Sequence, residues 1–176
     1  MKTQIIDASI QYLINNELES FTIETAAKEA GITKSCLLKQ FQCKQELLDA
    51  IALQIFENFK KRMLSLTTRQ CRPLNPIQAF LHTAQEDILN GEQFGITCTI
   101  MKKTPERFKE MYAELMDGLY KDTDLNADTI TFIKSVVGGL YFSRYLDLYP
   151  ISDKEIKQLS NRLLKVSRTD EPIDNI

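Results

Sequence analysis

The chain has 176 residues, 43% hydrophobic and 26% charged, and its 22 basic and 24 acidic side chains leave a formal net charge of −2. These proportions exclude wholesale disorder and a collagen-like repeat. They also exclude a surface uniformly basic for nucleic acid, though not a local basic patch. A chain this long buries roughly two-thirds of its unfolded surface, so it needs no metal or disulfide staple to fold.

The hydrophobic period is helical almost throughout, and alternating runs bounded by turn pairs are missing. A first helix reads from about Thr3 to Asn16, with Ile6, Ile10, Leu13 and Ile14 on one stripe. Thr22 then caps a short helix ending at Gly31, and Thr33 caps a second that runs to about Gln40, both threonines being suitable N-caps. From Lys44 a long helix carries Leu47, Leu48, Ile51, Ile55, Phe59 and Met63 and stops before Pro73. Asn75-Pro76 is a cap followed by proline at the first helical position, opening a helix that stops near Gly91. Thr104-Pro105 repeats the device after a segment around Phe94 to Lys102. Late in the chain, Ser152-x-x-Glu155 is a capping box with Ile151 and Ile156 at the staple positions. The tail SRTDEPIDNI reads as frayed.

Cys36, Cys43, Cys71 and Cys98 show no CxxC and no zinc-finger spacing, which fits free thiols in a reducing compartment. No stretch approaches the roughly 18 consecutive apolar residues of a membrane span. The opening MKTQIIDASIQYLINN carries acids and amides where a signal peptide has an apolar core. A cytoplasmic protein without membrane contact is expected. Glycine-rich phosphate loops and GxSxG are absent, and no carboxylate pair stands in a motif that assigns acid and base roles. His82 and Glu86 sit four apart on one helical face, but no third ligand is identifiable. The expectation is a protein without catalytic residues, resident metal or cofactor.

The segment with chemical content is FTIETAAKEAGITKSCLLKQFQCKQELL, Phe21 to Leu48. Ala26, Ala27 and Ala30 let the first short helix lie close to its partner, and Gly31 suits a left-handed turn. Ile32 and Leu37 plug the shared core. Between Thr33 and Lys44 stand Lys34, Lys39 and Lys44 and no acid, a local excess of positive charge suited to phosphates. With its threonine-opened helix, alanine pair, A-G-I-T-K turn, Phe41, Lys44 and the Leu47-Leu48 pair, the segment resembles the TetR family of bacterial transcriptional regulators. The resemblance is specific over about the first 60 residues; beyond them only the helical layout matches.

It implies an all-α fold: a three-helix helix-turn-helix head over residues 1–46, including the start of a connecting helix, and a helical bundle for ligand binding and dimerisation over 47–170. Residues 171–176 would be the frayed tail. The second helix of the motif would enter the major groove of operator DNA, with Thr33, Lys34, Ser35, Cys36 and Lys39 at its contact positions. Thr22 and Lys44, at the starts of the flanking helices, would hold phosphates. The chain departs from the family at Leu38, where a phosphate-contacting tyrosine is usual, and it has no arginine in the recognition helix, so the commonest guanine contact is missing.

For the body, the resemblance implies a cavity for a small apolar or aromatic effector. Its candidate lining is Phe59, Met63, Phe80, His82, Phe94, Cys98, Met101, Tyr112, Met116 and Tyr141, because methionine and aromatic side chains make adaptable apolar walls. An ordinary helical core is the competing reading of the same stripe. The apolar segment Ala127 to Pro150 and the capped helix after it would pair with their symmetry mates in a homodimer. Ile133, Val137, Gly138, Tyr141, Tyr145, Ile156, Leu159 and Leu163 are the candidate interface. A buried intrachain helix pair is the alternative there. The expected function is a ligand-responsive regulator, a repressor, binding double-stranded DNA as a dimer. The alternative is a TetR-like protein that has lost specific DNA reading and acts through a protein partner.

Overall fold

The computed structural model describes residues 1–121, 123–146 and 150–168, and of residues 91–94, 145 and 146 the backbone alone. The tail 171–176 lies outside the described residues. Among those described, every regular element is helical: α1 Lys2–Asn15, a 3-10 turn Leu18–Ser20, α2 Ile23–Glu29, α3 Lys34–Leu38, α4 Lys44–Thr67, α5 Pro76–Leu89, α6 Gly91–Lys103, α7 Pro105–Lys121, α8 Ala127–Leu146 and α9 Asp153–Val166. None is long and apolar enough to cross a membrane.

The helix boundaries follow local chemistry. The Thr22 hydroxyl accepts from the Thr25 N–H at 3.1 Å while the Thr22 N–H donates to Thr25 Oγ1 at 2.7 Å. This is a reciprocal capping box with threonine in the place usually held by Glu or Gln. Thr33 accepts from the Cys36 N–H, Asn75 from Gln78 and Ser152 from Glu155. Thr104 departs from the expected cap: its hydroxyl donates backward to the Ile100 carbonyl at 2.9 Å, closing α6 rather than opening α7. Asn126 caps α8 through the Thr129 N–H at 2.8 Å, so the helix starts at Ala127, where the apolar segment opens.

The described chain divides into two compact units, Met1–Asn58 with Glu92–Tyr112, and Phe59–Gly91 with Ala113–Ile176. In the first, α1 packs on α2 and α2 on α3. Ile5, Phe21, Ala26, Ala27, Leu37, Phe41, Leu47 and Ile51 are buried at its centre. The innermost row of α1 is Ile5, Ser9 and Leu13, one position round from the predicted stripe, with Ile6, Ile10 and Ile14 half-buried beside it. A helix seated in a groove is covered over an arc wider than one row of side chains. Within this unit Phe56 meets Phe108 edge-on at 6.3 Å.

In the second unit α5 packs on α8 and α9. Ile77, Phe80, Leu81, Ala84, Ile88, Ile133, Val137, Leu140, Ile156, Leu163 and Val166 form its core. The α9 helix is sharply two-sided. Ile156, Ser160, Leu163, Leu164 and Val166 are buried, and Asp153, Lys154, Glu155, Lys157, Arg162 and Lys165 stand in solvent.

Candidate functional site

The helix-turn-helix edge of the first unit is built by short-range devices. Gly31 takes φ +68° between α2 and α3, the left-handed conformation that glycine adopts without a Cβ clash. The Ile32 N–H returns to the Ala27 carbonyl at 2.9 Å, closing the turn. Gln4 Nε2 donates to the Ala30 carbonyl at 3.2 Å and ties α1 to the end of α2.

Thr22, Thr33, Lys34, Ser35 and Lys39 are exposed, as expected of a contact surface. The Thr33 and Ser35 hydroxyls lie 3.1 Å apart. Lys39 has no partner among the described residues. Cys36 is half-buried instead of open, its Sγ 3.7 Å from Met1 Sδ. Lys44 also differs from expectation. Its Nζ donates to the Phe21 carbonyl and lies 5.7 Å from the Phe21 ring centroid, so it buttresses the 3-10 turn from inside the edge. The Lys34 ammonium pairs with the Glu24 carboxylate of α2, a contact that the charge count along α3 did not anticipate. The lysine holds Glu24 below its ordinary value. The Gln42 N–H donates to the Glu46 carboxylate at 2.6 Å, just ahead of the start of α4.

The ten candidate cavity residues divide between the units. Cys98, Met101 and Tyr112 belong to the first, and Phe59, Met63, Phe80, His82, Met116 and Tyr141 to the second. The Phe94 side chain lies outside the described residues. Phe80, Cys98 and Met116 are buried; Phe59, Met63, His82, Tyr112 and Tyr141 are half-buried. Met101 is 36% exposed and faces solvent rather than an interior wall. Burial raises the Tyr112 phenol and pushes the Cys98 thiol up to about 11, so Cys98 stays protonated and unreactive at neutral pH. A cleft of about 380 Å³ lies elsewhere in the second unit, lined by Asn75, Gln78, Leu119, Asp124, Leu125 and Arg168 among others, and by none of the ten.

Sequence reasoning missed the polar centre of the second unit. Asp87, 4% exposed, accepts from the Arg62 guanidinium and takes a further hydrogen bond from Tyr141. Arg62 lies 5.9 Å from the Phe59 ring centroid, and Phe59 meets Phe80 edge-on at 6.0 Å. Burial raises Asp87 above its ordinary value although Arg62 opposes the shift. One signal was available in the sequence: Asp87 occupies the apolar row Phe80, Ala84, Asp87, Ile88 of α5, where an acid is out of place unless it has a partner.

The candidate interface residues Ile133, Val137, Ile156 and Leu163 are 4% exposed or less within this single chain, and Tyr141 and Leu159 are half-buried. Having little surface left, those four add almost nothing to a contact with another molecule; they are intrachain core. The Tyr145 side chain lies outside the described residues. Gly138 and Gly139 are exposed, with nothing within 4 Å of an added Cβ, so among the described residues no helix closes on them. They share the outward face of α8 with Thr131, Ser135 and Phe142, the last 63% exposed.

No family model matches the chain, and no curated protein matches it. Solved structures do. A transcriptional regulator from Rhodococcus sp. Rha1 is 13% identical with a TM-score of 0.70, covering 97% of this chain and 98% of that one. The transcriptional regulator FadR from Bacillus subtilis, solved in complex with stearoyl-CoA, is 15% identical with a TM-score of 0.67, covering 98% of this chain and 100% of its own. A regulator of the TetR/AcrR family from Thermobifida fusca YX-ER1 is 23% identical with a TM-score of 0.62, covering 93% and 96%. The chain has the all-helical fold of the TetR-family transcriptional regulators.

Proposed function

We propose that this chain is a transcriptional regulator, not an enzyme: a repressor that binds operator DNA as a homodimer and releases it on binding a small apolar or aromatic effector. The observation that carries the reading is the helix-turn-helix edge, where a doubly capped α2, a left-handed Gly31 and the exposed Thr33, Lys34, Ser35 and Lys39 stand together. Side chains of this kind on a short second helix suit the major groove, with hydroxyls and ammonium groups reaching phosphates and base edges. Residues 1–46 act as the DNA-binding head and 47–170 as the effector-binding and dimerisation body.

The effector class is supported by the aromatic and methionine content around Phe59, Met63, Phe80 and Met116 and by the long acyl ligand in the FadR complex. The outward face of α8, with Gly138, Gly139 and Phe142, is the surface offered for twofold pairing, which would present two recognition helices to successive major grooves. Effector binding acts by population shift, favouring a state in which α4 has swung and the two heads no longer match the operator, and it requires different affinities for the two states.

Fluorescence anisotropy with the DNA upstream of the gene is the test. The dimer should bind with sequence preference, and Lys39→Ala, which removes one lysine from each protomer, should reduce the slope of log affinity against log salt by about two. Absence of salt-sensitive binding defeats the reading. Intact cellular function in a Lys34→Ala/Lys39→Ala variant would favour the protein-partner alternative, which Leu38 and the arginine-free α3 motivate.

A further inference from the structure

The charges along α3 change meaning once the chain is folded. Lys34, Lys39 and Lys44 stand without an acid among them in sequence. The turn at Gly31, however, brings Glu24 in the first turn of α2 onto Lys34 in the first turn of α3, and the two form an ion pair. Their side chains are 60% and 55% exposed, so water and salt compete with the contact. The pair sits on the edge that carries Thr33, Ser35 and Lys39. A carboxylate there occupies one of the few cations available to a duplex, and it repels any phosphate that approaches.

We propose that Glu24 is a built-in competitor for Lys34 that suppresses binding of the protein to DNA of arbitrary sequence. This rests on the DNA-binding reading above. Non-specific binding draws almost wholly on lysine–phosphate pairs and counterion release, with no base contacts to offset a loss. Any duplex engaging Lys34 must first displace Glu24. A site with a base-edge acceptor in register with Lys34 recovers that cost through a directed hydrogen bond; other sequences do not. Glu24 therefore acts through Lys34, as a specificity-determining group that need not touch DNA itself.

The experiment measures affinity and salt slope on a mixed-sequence duplex of about 30 base pairs, long enough for a dimer spanning successive major grooves. Compared are the wild type, Glu24→Gln, Glu29→Gln (the same charge removed elsewhere on α2) and Glu24→Gln combined with Lys34→Ala. Glu24→Gln frees one pair in each protomer, so the dimer should bind about tenfold more tightly, about threefold for each exposed ion pair released, and its salt slope should steepen by about two. Glu29→Gln should change neither, and Lys34→Ala should abolish the gain.

Equal gains from Glu24→Gln and Glu29→Gln, or a gain that survives Lys34→Ala, would mean bulk charge and overturn the proposal. Weaker binding by Glu24→Gln would overturn it too, by making Glu24 itself a DNA contact. All three results leave the regulator reading standing, because the wild type still binds. If no variant shows salt-dependent binding, both fall. Thermal melting of each variant verifies that the head remains folded.

Discussion

The two units each carry a cross-helix ion pair, and the pairs differ in nearly every physical respect. Lys34–Glu24 stands in solvent on the helix-turn-helix edge. Arg62–Asp87 has its carboxylate inside the second unit, with the Asp87 side chain 6% exposed against 38% for Arg62. In the first pair the lysine contact lowers Glu24; in the second, burial outweighs the arginine and raises Asp87. Exposed charges exchange partners cheaply and suit a surface that must meet a changing environment. A buried charge is costly to leave alone, so the second pair ties the C-terminal part of α4 to α5.

Breaking the inner pair should have the largest effect. Arg62→Ala leaves Asp87 buried without its main partner and should cost about 2–3 kcal/mol, below the usual figure for a buried pair because Arg62 is partly solvated. Urea denaturation at neutral pH measures it, and Asp87→Asn added to the same variant should recover most of the loss. Failure of that recovery would mean that Arg62 acts by packing on Phe59 rather than by charge.

Smaller losses should follow from the local devices of the head. Thr22→Ala removes one half of a reciprocal cap and should cost about 1 kcal/mol. Gly31→Ala places a Cβ at φ +68° and should cost about 1–2 kcal/mol. Thermal melting separates both from Glu24→Gln, which should scarcely move the melting temperature.

The smallest effect sharpens the contrast through pH. A carboxyl raised in the folded state contributes stability that is complete below its ordinary value of 3.8 and fades as pH climbs through the folded value. Asp87→Asn should therefore gain on the wild type as pH rises from acid toward neutrality. Glu155 behaves oppositely. Its bonds to Ser152 lower it, so its contribution is present above 4.5 and fades as pH falls through the folded value. Glu155→Gln should lose ground to the wild type as pH rises through that range. Stability curves with the same pH slope for both variants would contradict the assignment.

Much of this molecule is decided within a few residues of chain. Thr22, Thr33, Asn75-Pro76 and Ser152-x-x-Glu155 start their helices where the sequence places them, because a cap is a contact between residues three apart. Gly31 makes its turn for the same reason: φ is a property of one residue. The long-range pairings are different. Glu24 reaches Lys34 across a turn, Lys44 reaches back 23 positions to Phe21, and Arg62 meets Asp87 from another helix. None of these is written in a local period, since each depends on how helices cross and which face turns inward. The same holds for Ile133, Val137, Ile156 and Leu163. An apolar stripe states that a face must be covered, and only packing decides whether the cover is the chain's own core or a second molecule.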